Sequence, residues 1–412
     1  VSLSGNTADA QLETLKLETQ FRPRISIKTE NMYREPTYQA ARAVAKTIED
    51  HFARHLAAAR SRGEQKLAPE PDVPAIEAII DATFWASLLR DEGRSPKISL
   101  AFFPHEQVPQ PLIFEQPLPL TADVLTKLGP AVERPGIHLG VWRDQSGELR
   151  VWGATRKVPS FCFILEVIEP GLLVVKHRRM DGFGKFANVA VLKGEQVKVV
   201  DERGASLPDC PALLQALLPF TSPGSWDHQF NLLVQLAASM RAHGHGGSLL
   251  VVPAGTEAWR QSVVHPITYS VTPPFSALAE LMKQEVDDAN ENLVVAAVGR
   301  AVDTVAGLTA VDGAAVMTDQ YEVHAFGVTI RRRQGGAPVE QIVTTEPIVG
   351  DEPVVVHPVQ TGGTRHLSAA QFVHDQRDAL ALVASQDGRF TVFAWSPCEQ
   401  MVHAHRVDTL LL

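Results

Sequence analysis

Cysteine is nearly missing from this chain: Cys162, Cys210 and Cys398 are all it has in 412 residues. An odd number spread so widely excludes a disulfide framework and points to a reducing compartment, so a cytoplasmic location is expected. Long apolar runs are missing too. None approaches the roughly 18 residues of a membrane span, and the first residues do not follow the signal-peptide pattern, so no membrane partner is expected. A basic excess is also lacking. Lys and Arg number 38 against 47 Asp and Glu, a net charge of −9, which argues against a general nucleic-acid binder. What remains, 45% hydrophobic and 21% charged residues, is ordinary for a globular protein of two or three domains.

The chain divides by pattern. Residues 1–35 are polar and aperiodic and read as a flexible arm. Residues 36–203 read as an α+β domain. Within it, Ala41, Val44, Ile48, Phe52 and Leu56 mark an amphipathic helix over Thr37–Ala59, and a second helix is predicted over Val73–Arg90. Strands are predicted at Ile98–Phe103, Ile137–Trp142, Leu149–Ala154, Phe161–Ile168, Leu172–His177, Val189–Leu192 and Val197–Val200. The turn sequences between them make the sheet mostly antiparallel. The basic patch Lys176-His177-Arg178-Arg179 reads as a solvated strand end in preference to an anion contact. Gly182 and Gly184 serve a turn. Residues 204–224, rich in proline and glycine, read as a linker around a short helix, Ala212–Leu218, with the boundary near Ser222.

Residues 225–412 begin with an amphipathic helix, Trp226–Ala242, and the run His243-Gly244-His245-Gly246-Gly247. Without a third ligand nearby, the two histidines read as a solvated helix end, not a metal site. Strands are predicted at Ser248–Val252, Ile267–Val271, around Asp312, and at Glu322–Ile330, Ile342–Glu346, Pro353–His357, Ala379–Ser385 and Phe390–Trp395. Helices are predicted at Phe275–Ala289, Leu293–Leu308 and Thr364–Asp375. Arg331-Arg332-Arg333 reads as a solvated loop in preference to a phosphate contact.

Two stretches of this half carry chemistry. In Val311-Asp312-Gly313-Ala314-Ala315-Val316-Met317 a lone carboxylate interrupts an apolar strand. Burying it ionised and unpaired costs several kcal/mol, so it should face a cleft, a metal or a cap. Gly313 permits close backbone approach. In Gly362-Gly363-Thr364-Arg365-His366-Leu367-Ser368, a glycine turn opens a helix whose free N–H groups suit phosphate. Arg365 and His366 oppose the helix dipole unless an anion sits before them.

Asp312-Gly313-Ala314 followed by Gly363-Thr364-Arg365-His366 resembles the diadenylate cyclase (DisA-N) family over roughly residues 225–412. The resemblance implies a C-terminal α/β domain with a mixed central sheet flanked by helices, preceded by a sensor domain. It implies condensation of two ATP into cyclic di-AMP and two pyrophosphates, with Mg2+ or Mn2+, between two facing copies in a homodimer or higher homo-oligomer. On that reading Asp312, Arg365 and His366 are catalytic, and Asp312 holds the metal or takes the 3′-hydroxyl proton. Gly313, Ala314, Gly363, Thr364, Arg365, His366 and Ser368 bind ATP. Leu367 stands where the family has Arg. That departure supports the alternative, a nucleotide-binding sensor of the same fold that turns nothing over.

Overall fold

The computed structural model describes residues 37–179, 186–202, 228–283 and 291–412. The predicted arm, the Gly182–Gly184 turn and the linker with its short helix lie outside the described residues.

The first half folds as two helices over a sheet. Helix α1 (Gln39–Ser61) buries Val44, Ile48, Phe52 and Leu56 on one stripe, as the spacing requires. Helix α2 (Val73–Leu88) starts where the Asp72 carboxylate accepts a hydrogen bond from the Ala75 N–H, with Pro74 in the first turn. The strands are β1 (Ser99–Phe102), β2 (Leu112–Pro119), β3 (His138–Arg143), β4 (Leu149–Thr155), β5 (Phe163–Glu169), β6 (Leu172–Arg178), β7 (Phe186–Lys193) and β8 (Gln196–Val199). They form one sheet in the order β2-β4-β3-β1-β5-β6-β7-β8. Every pair is antiparallel except β1 with β3. Leu100, Phe102, Leu139, Phe163, Leu165 and Val175 face α1 and α2, while the alternate residues Ala101, Phe103, Cys162 and Ile164 form a smaller core behind.

Two elements here went unpredicted. Strand β2 carries Pro117 and Pro119, and it survives because it is an edge strand. Helix α3 (Ala122–Val132) carries Gly129 and Pro130 near its end. A Cβ at Gly129 would sit 2.8 Å from Pro96 Cβ, so close packing, which local propensity does not report, requires the glycine. The basic patch is also corrected. His177 is fully buried, Lys176 pairs with Glu166 at 2.7 Å, and Arg178 donates to the Val158 carbonyl. It is no solvated strand end.

The second half contains α4 (His228–Ala242), β9 (Gly247–Val252), β10 (Tyr269–Phe275), α5 (Ala277–Met282), α6 (Glu291–Leu308), β11 (Ala314–Thr318) and β12 (Val323–Val328). Then follow β13 (Ile342–Thr345), β14 (Val354–Val356), α7 (Thr364–Asp375), β15 (Leu380–Ala384), β16 (Phe390–Ser396) and β17 (Met401–Arg406). The sheet order is β10-β12-β11-β9-β15-β16-β17-β13-β14. It is mixed, as expected, with β9/β11 and β13/β17 parallel. Period-two alternation sends Leu249 and Val251 toward Leu236 and Met240 of α4 and Val302 and Val305 of α6. It sends Leu250 and Val252 toward Ala369, Phe372 and Val373 of α7. Strand β17 was not foreseen, because two histidines and an arginine break its apolar pattern. No helix of the described residues is long and apolar enough to cross a membrane.

The two sheets meet along β8. Val200 bridges to Ile348, the Val349 N–H donates to the Val199 carbonyl at 2.8 Å, and the Asp201 N–H donates to the Pro347 carbonyl at 3.0 Å. Lys198 Nζ pairs with Glu346 at 2.6 Å, and the Thr409 hydroxyl donates to the same carboxylate at 2.9 Å. Replacing Glu346 with Ala strands both donors at this seam. The expected loss is about 1–3 kcal/mol, read as a lower denaturant midpoint.

His405 on β17 is buried, its Nδ1 2.8 Å from the Thr345 hydroxyl. Burial, then the neighbouring His403, lowers its pKa from 6.5 to about 3. Between those values the unfolded chain binds the proton that the native ring refuses. Its stabilising contribution is therefore complete above pH 6.5 and is lost as pH falls toward 3. His405→Phe should flatten that part of the stability–pH curve, measured by urea unfolding.

Candidate functional site

Strand register brings the two chemical motifs to one end of the second sheet. Ala314 pairs with Ser248 in the parallel β9/β11 ladder, Ser248 pairs with Val383, and Gly247 with Ala384. The entries to β9 and β11 and the exit from β15 are therefore level. Asp312 lies two residues before Ala314, in the bend ahead of the strand and not on it, and its side chain is exposed. Among the described residues no hydrogen bond or ion pair engages it.

Gly313 and Gly327 make this entry possible. Gly313 has φ +108°, and a Cβ on it would meet the Gly327 carbonyl carbon at 2.5 Å and the Val328 nitrogen at 2.8 Å. Gly327 itself sits under the ring of Tyr269, which stacks on Phe326 with centroids 4.9 Å apart. Tyr269 is half-exposed beside Asp312, and sequence reasoning missed it. The available signal was an aromatic at the head of a strand whose partner carries a glycine.

Helix α7 opens at this same end. Its N-cap is Gly363, no side chain caps it, and its first turn has no acidic residue. The first-turn N–H groups of Thr364 and Arg365 thus have no intrahelical partner, the condition for holding an anion. Gly363 and Thr364 are exposed, and Arg365 and Ser368 are half-buried. Arg365 Nη1 would be 3.2 Å from a Cβ at Gly246, which puts its guanidinium over the entry to β9. No carboxylate of the described residues is within ion-pairing distance of it.

His366 parts company with Arg365. Expected as a phosphate ligand, it is 2% exposed, its ring turned inward beneath Gly362. Its Nε2 is 3.3 Å from the Thr391 hydroxyl, and the ring meets Phe393 edge-on. Burial lowers its pKa despite the opposing pull of Asp387. The ring supports the glycine turn from below. Ala314 is buried within the sheet and offers only its small size.

The neighbouring turn is fastened to α4: Arg241 Nε donates to the Gly388 carbonyl at 3.1 Å, and Gln386 donates to the His245 carbonyl at 3.3 Å. His243 lies 3.3 Å from the Thr309 hydroxyl and His245 is exposed, in keeping with a helix end. The arginine run is exposed, and Arg333 lies at the opposite end of α7, where its N–H donates to Asp375. A cleft of about 480 Å³ also lies there, lined by Val252, Trp259, Arg333, His374 and Arg377. Ligands of open α/β sheets favour that carboxyl end of parallel strands. At the opposite end, uncapped N–H groups converge with a guanidinium that has no carboxylate partner among the described residues.

An exposed lone carboxylate suits Mg2+ or Mn2+, which take one or two protein carboxylates and draw their remaining ligands from phosphate and water. Asp312 fits that pattern.

Residues 65–156 match the family model described as Probable sensor domain DACNV, the N-terminal sensor domain of diadenylate cyclases. The match runs from just before α2 to β4 and includes none of the second sheet. No curated protein matches the chain.

Gly313→Ala should destabilise the protein by more than about 1 kcal/mol, since φ is positive and the space is filled. Gly299→Ala, on α6 with nothing within 4 Å of an added Cβ, should instead stabilise by about 0.5–1 kcal/mol. Thermal unfolding of the two variants measures both signs.

Proposed function

We propose that residues 225–412 are a diadenylate cyclase that condenses two ATP into cyclic di-AMP and two pyrophosphates, with the first domain as its sensor. What supports the reading is one observation: the Asp312-Gly313-Ala314 entry and the uncapped Gly363-Thr364-Arg365 helix start share a sheet end. The sensor-domain match at residues 65–156 supports it independently.

On this reading the triphosphate lies before α7. The N–H groups of Thr364 and Arg365 and the Thr364 hydroxyl hold it, and Arg365 neutralises its outer charge. His366 fixes the turn from beneath, and Ser368 lines the first turn. Asp312 would hold Mg2+ or Mn2+, which when bound would supply Lewis acidity toward the phosphates, or would accept the proton of the 3′-hydroxyl. Tyr269 offers an aromatic face for a purine. Each 3′-hydroxyl attacks the α-phosphate of the other nucleotide, so two copies must face each other. Positioning and charge neutralisation are then the protein's main contribution.

A second reading rests on Leu367, which removes one cation from the basic turn: the same site binds nucleotide without turnover. Incubating the full-length chain with ATP and Mn2+ and measuring cyclic di-AMP by mass spectrometry separates the two. Asp312→Asn should keep the wild-type unfolding temperature and lose at least about 100-fold in product. Wild-type turnover by that variant refutes the role of Asp312. A thermal shift with ATP but no product in the native chain selects the sensor reading.

A further inference from the structure

His51 and His55 are four residues apart on α1 and therefore share a face. Both are buried, 6% and 5% exposed, on the side turned to the first sheet. β6 adds His177 and the chain leaving β8 adds Glu202. His55 Nε2 is 2.8 Å and His51 Nδ1 3.3 Å from the same oxygen, Glu202 Oε1. One ligand atom from each of His51, His55 and Glu202 lies within 4.8 Å of the other two. Nitrogen and oxygen ligands at 2.0–2.2 Å from a tetrahedral ion stand about 3.3–3.6 Å apart. The His51–Glu202 pair stands at that spacing, and the His55–Glu202 pair is a shorter hydrogen bond. All three atoms lie within 4.8 Å, so shifts of about an ångström in the side chains convert the cluster into a coordination shell.

The chemistry agrees. The Glu202 carboxylate is the group on which both rings converge. Two imidazoles and one carboxylate form a three-ligand set with an open fourth position. No thiolate is present to favour a soft ion, and too few oxygens converge for calcium or magnesium. Arg54 Nη2 is 3.8 Å from the same carboxylate oxygen, but its side chain is 66% exposed and can leave without disturbing the core.

We propose that His51, His55 and Glu202 bind one divalent ion of the zinc class, with His177 as the residue that orients His51. His177 Nδ1 is 3.1 Å from His51 Nε2. With the ion on Nδ1, His51 carries its remaining proton on Nε2 and donates it to His177, the outer hydrogen bond that metal-bound histidine requires. Glu202 follows Val200 and Asp201, which pair with residues 347 and 348 of the second domain. The ion ties α1 to the seam between the sheets. The site lies outside residues 65–156 and does not depend on the cyclase reading.

The test uses the full-length chain, stripped of metal by a chelator and dialysed. Zn2+ is titrated against a chromophoric competitor, and Co2+ is added separately to report geometry. One equivalent of Zn2+ and the visible bands of tetrahedral Co2+ are expected. His55→Gln and Glu202→Gln should each weaken Zn2+ at least about 100-fold, and His177→Phe about 10–100-fold with unchanged stoichiometry. His243→Ala should change nothing. Circular dichroism checks that each metal-free variant is folded. Should the removals unfold the chain, His51→Cys keeps a ligand and must add a sulfur-to-cobalt charge-transfer band. No stoichiometric binding, wild-type affinity in both glutamine variants, loss through His243→Ala, or no new band in His51→Cys overturns the site.

Discussion

Backbone touching backbone at the entry to β9 and β11 is the constraint on which the second domain rests. A Cβ at Gly247 would lie 2.5 Å from the Thr309 carbonyl oxygen, and one at Gly313 equally close to Gly327. Any side chain at either position would force the chain apart where α6 turns into β11. With both glycines in place, Ser248 and Ala314 come level, and Asp312 emerges in the bend two residues before that level. The carboxylate is then held at the sheet end by the ladder behind it. No contact of its own is needed.

The same sheet positions the cation. Ala369, Phe372 and Val373 seat α7 on Leu250 and Val252, so the helix begins over the strand entries with Arg365 directed at them. Consecutive residues on a helix are about 100° apart, which separates the roles of Arg365 and His366. One reaches out over Gly246. The other turns under the glycine turn, where burial keeps it neutral and Thr391 takes up one ring nitrogen. Had both pointed outward, the turn would lack its internal support.

Most of this was legible in the sequence, and the exceptions share a cause. Apolar periodicity located α1, α2, α6 and α7 within a few residues, because those stripes decide which face is buried. Asp-Gly-Ala and Gly-Thr-Arg-His stood out because a carboxylate beside an apolar strand and a basic helix start are uncommon patterns, although Asp312 proves to be exposed ahead of the strand and His366 buried. Hidden features depended on partners distant in the chain. Gly129 is explained only by Pro96, β2 only by its place at an edge, and the burial of His177 only by α1 crossing β6. His51 and His55 did have a local signal, four-residue spacing on the inner stripe. Glu202, which gives that spacing meaning, is about 150 residues away. The inward turn of His366 likewise follows from Thr391 and Phe393, outside its own motif.

The seam between the sheets is linked by contact to the basic turn. Glu346, paired with Lys198 of the first domain, lies 3.8 Å from Arg406. Arg406 is the register partner of Thr391, whose hydroxyl meets His366 beneath Gly362. Every step is a hydrogen bond, an ion pair or a ladder position, so the seam and the basic turn are contiguous. Contiguity supplies a route and no energy: a ligand of the first domain shifts the turn only by as much as it binds two arrangements unequally. Glu202 lies next to this route. It stands two residues beyond the Val200 bridge, and its carboxylate is engaged by groups on α1. Contacts therefore run without a break from α1 through Glu202 and β8 to Glu346.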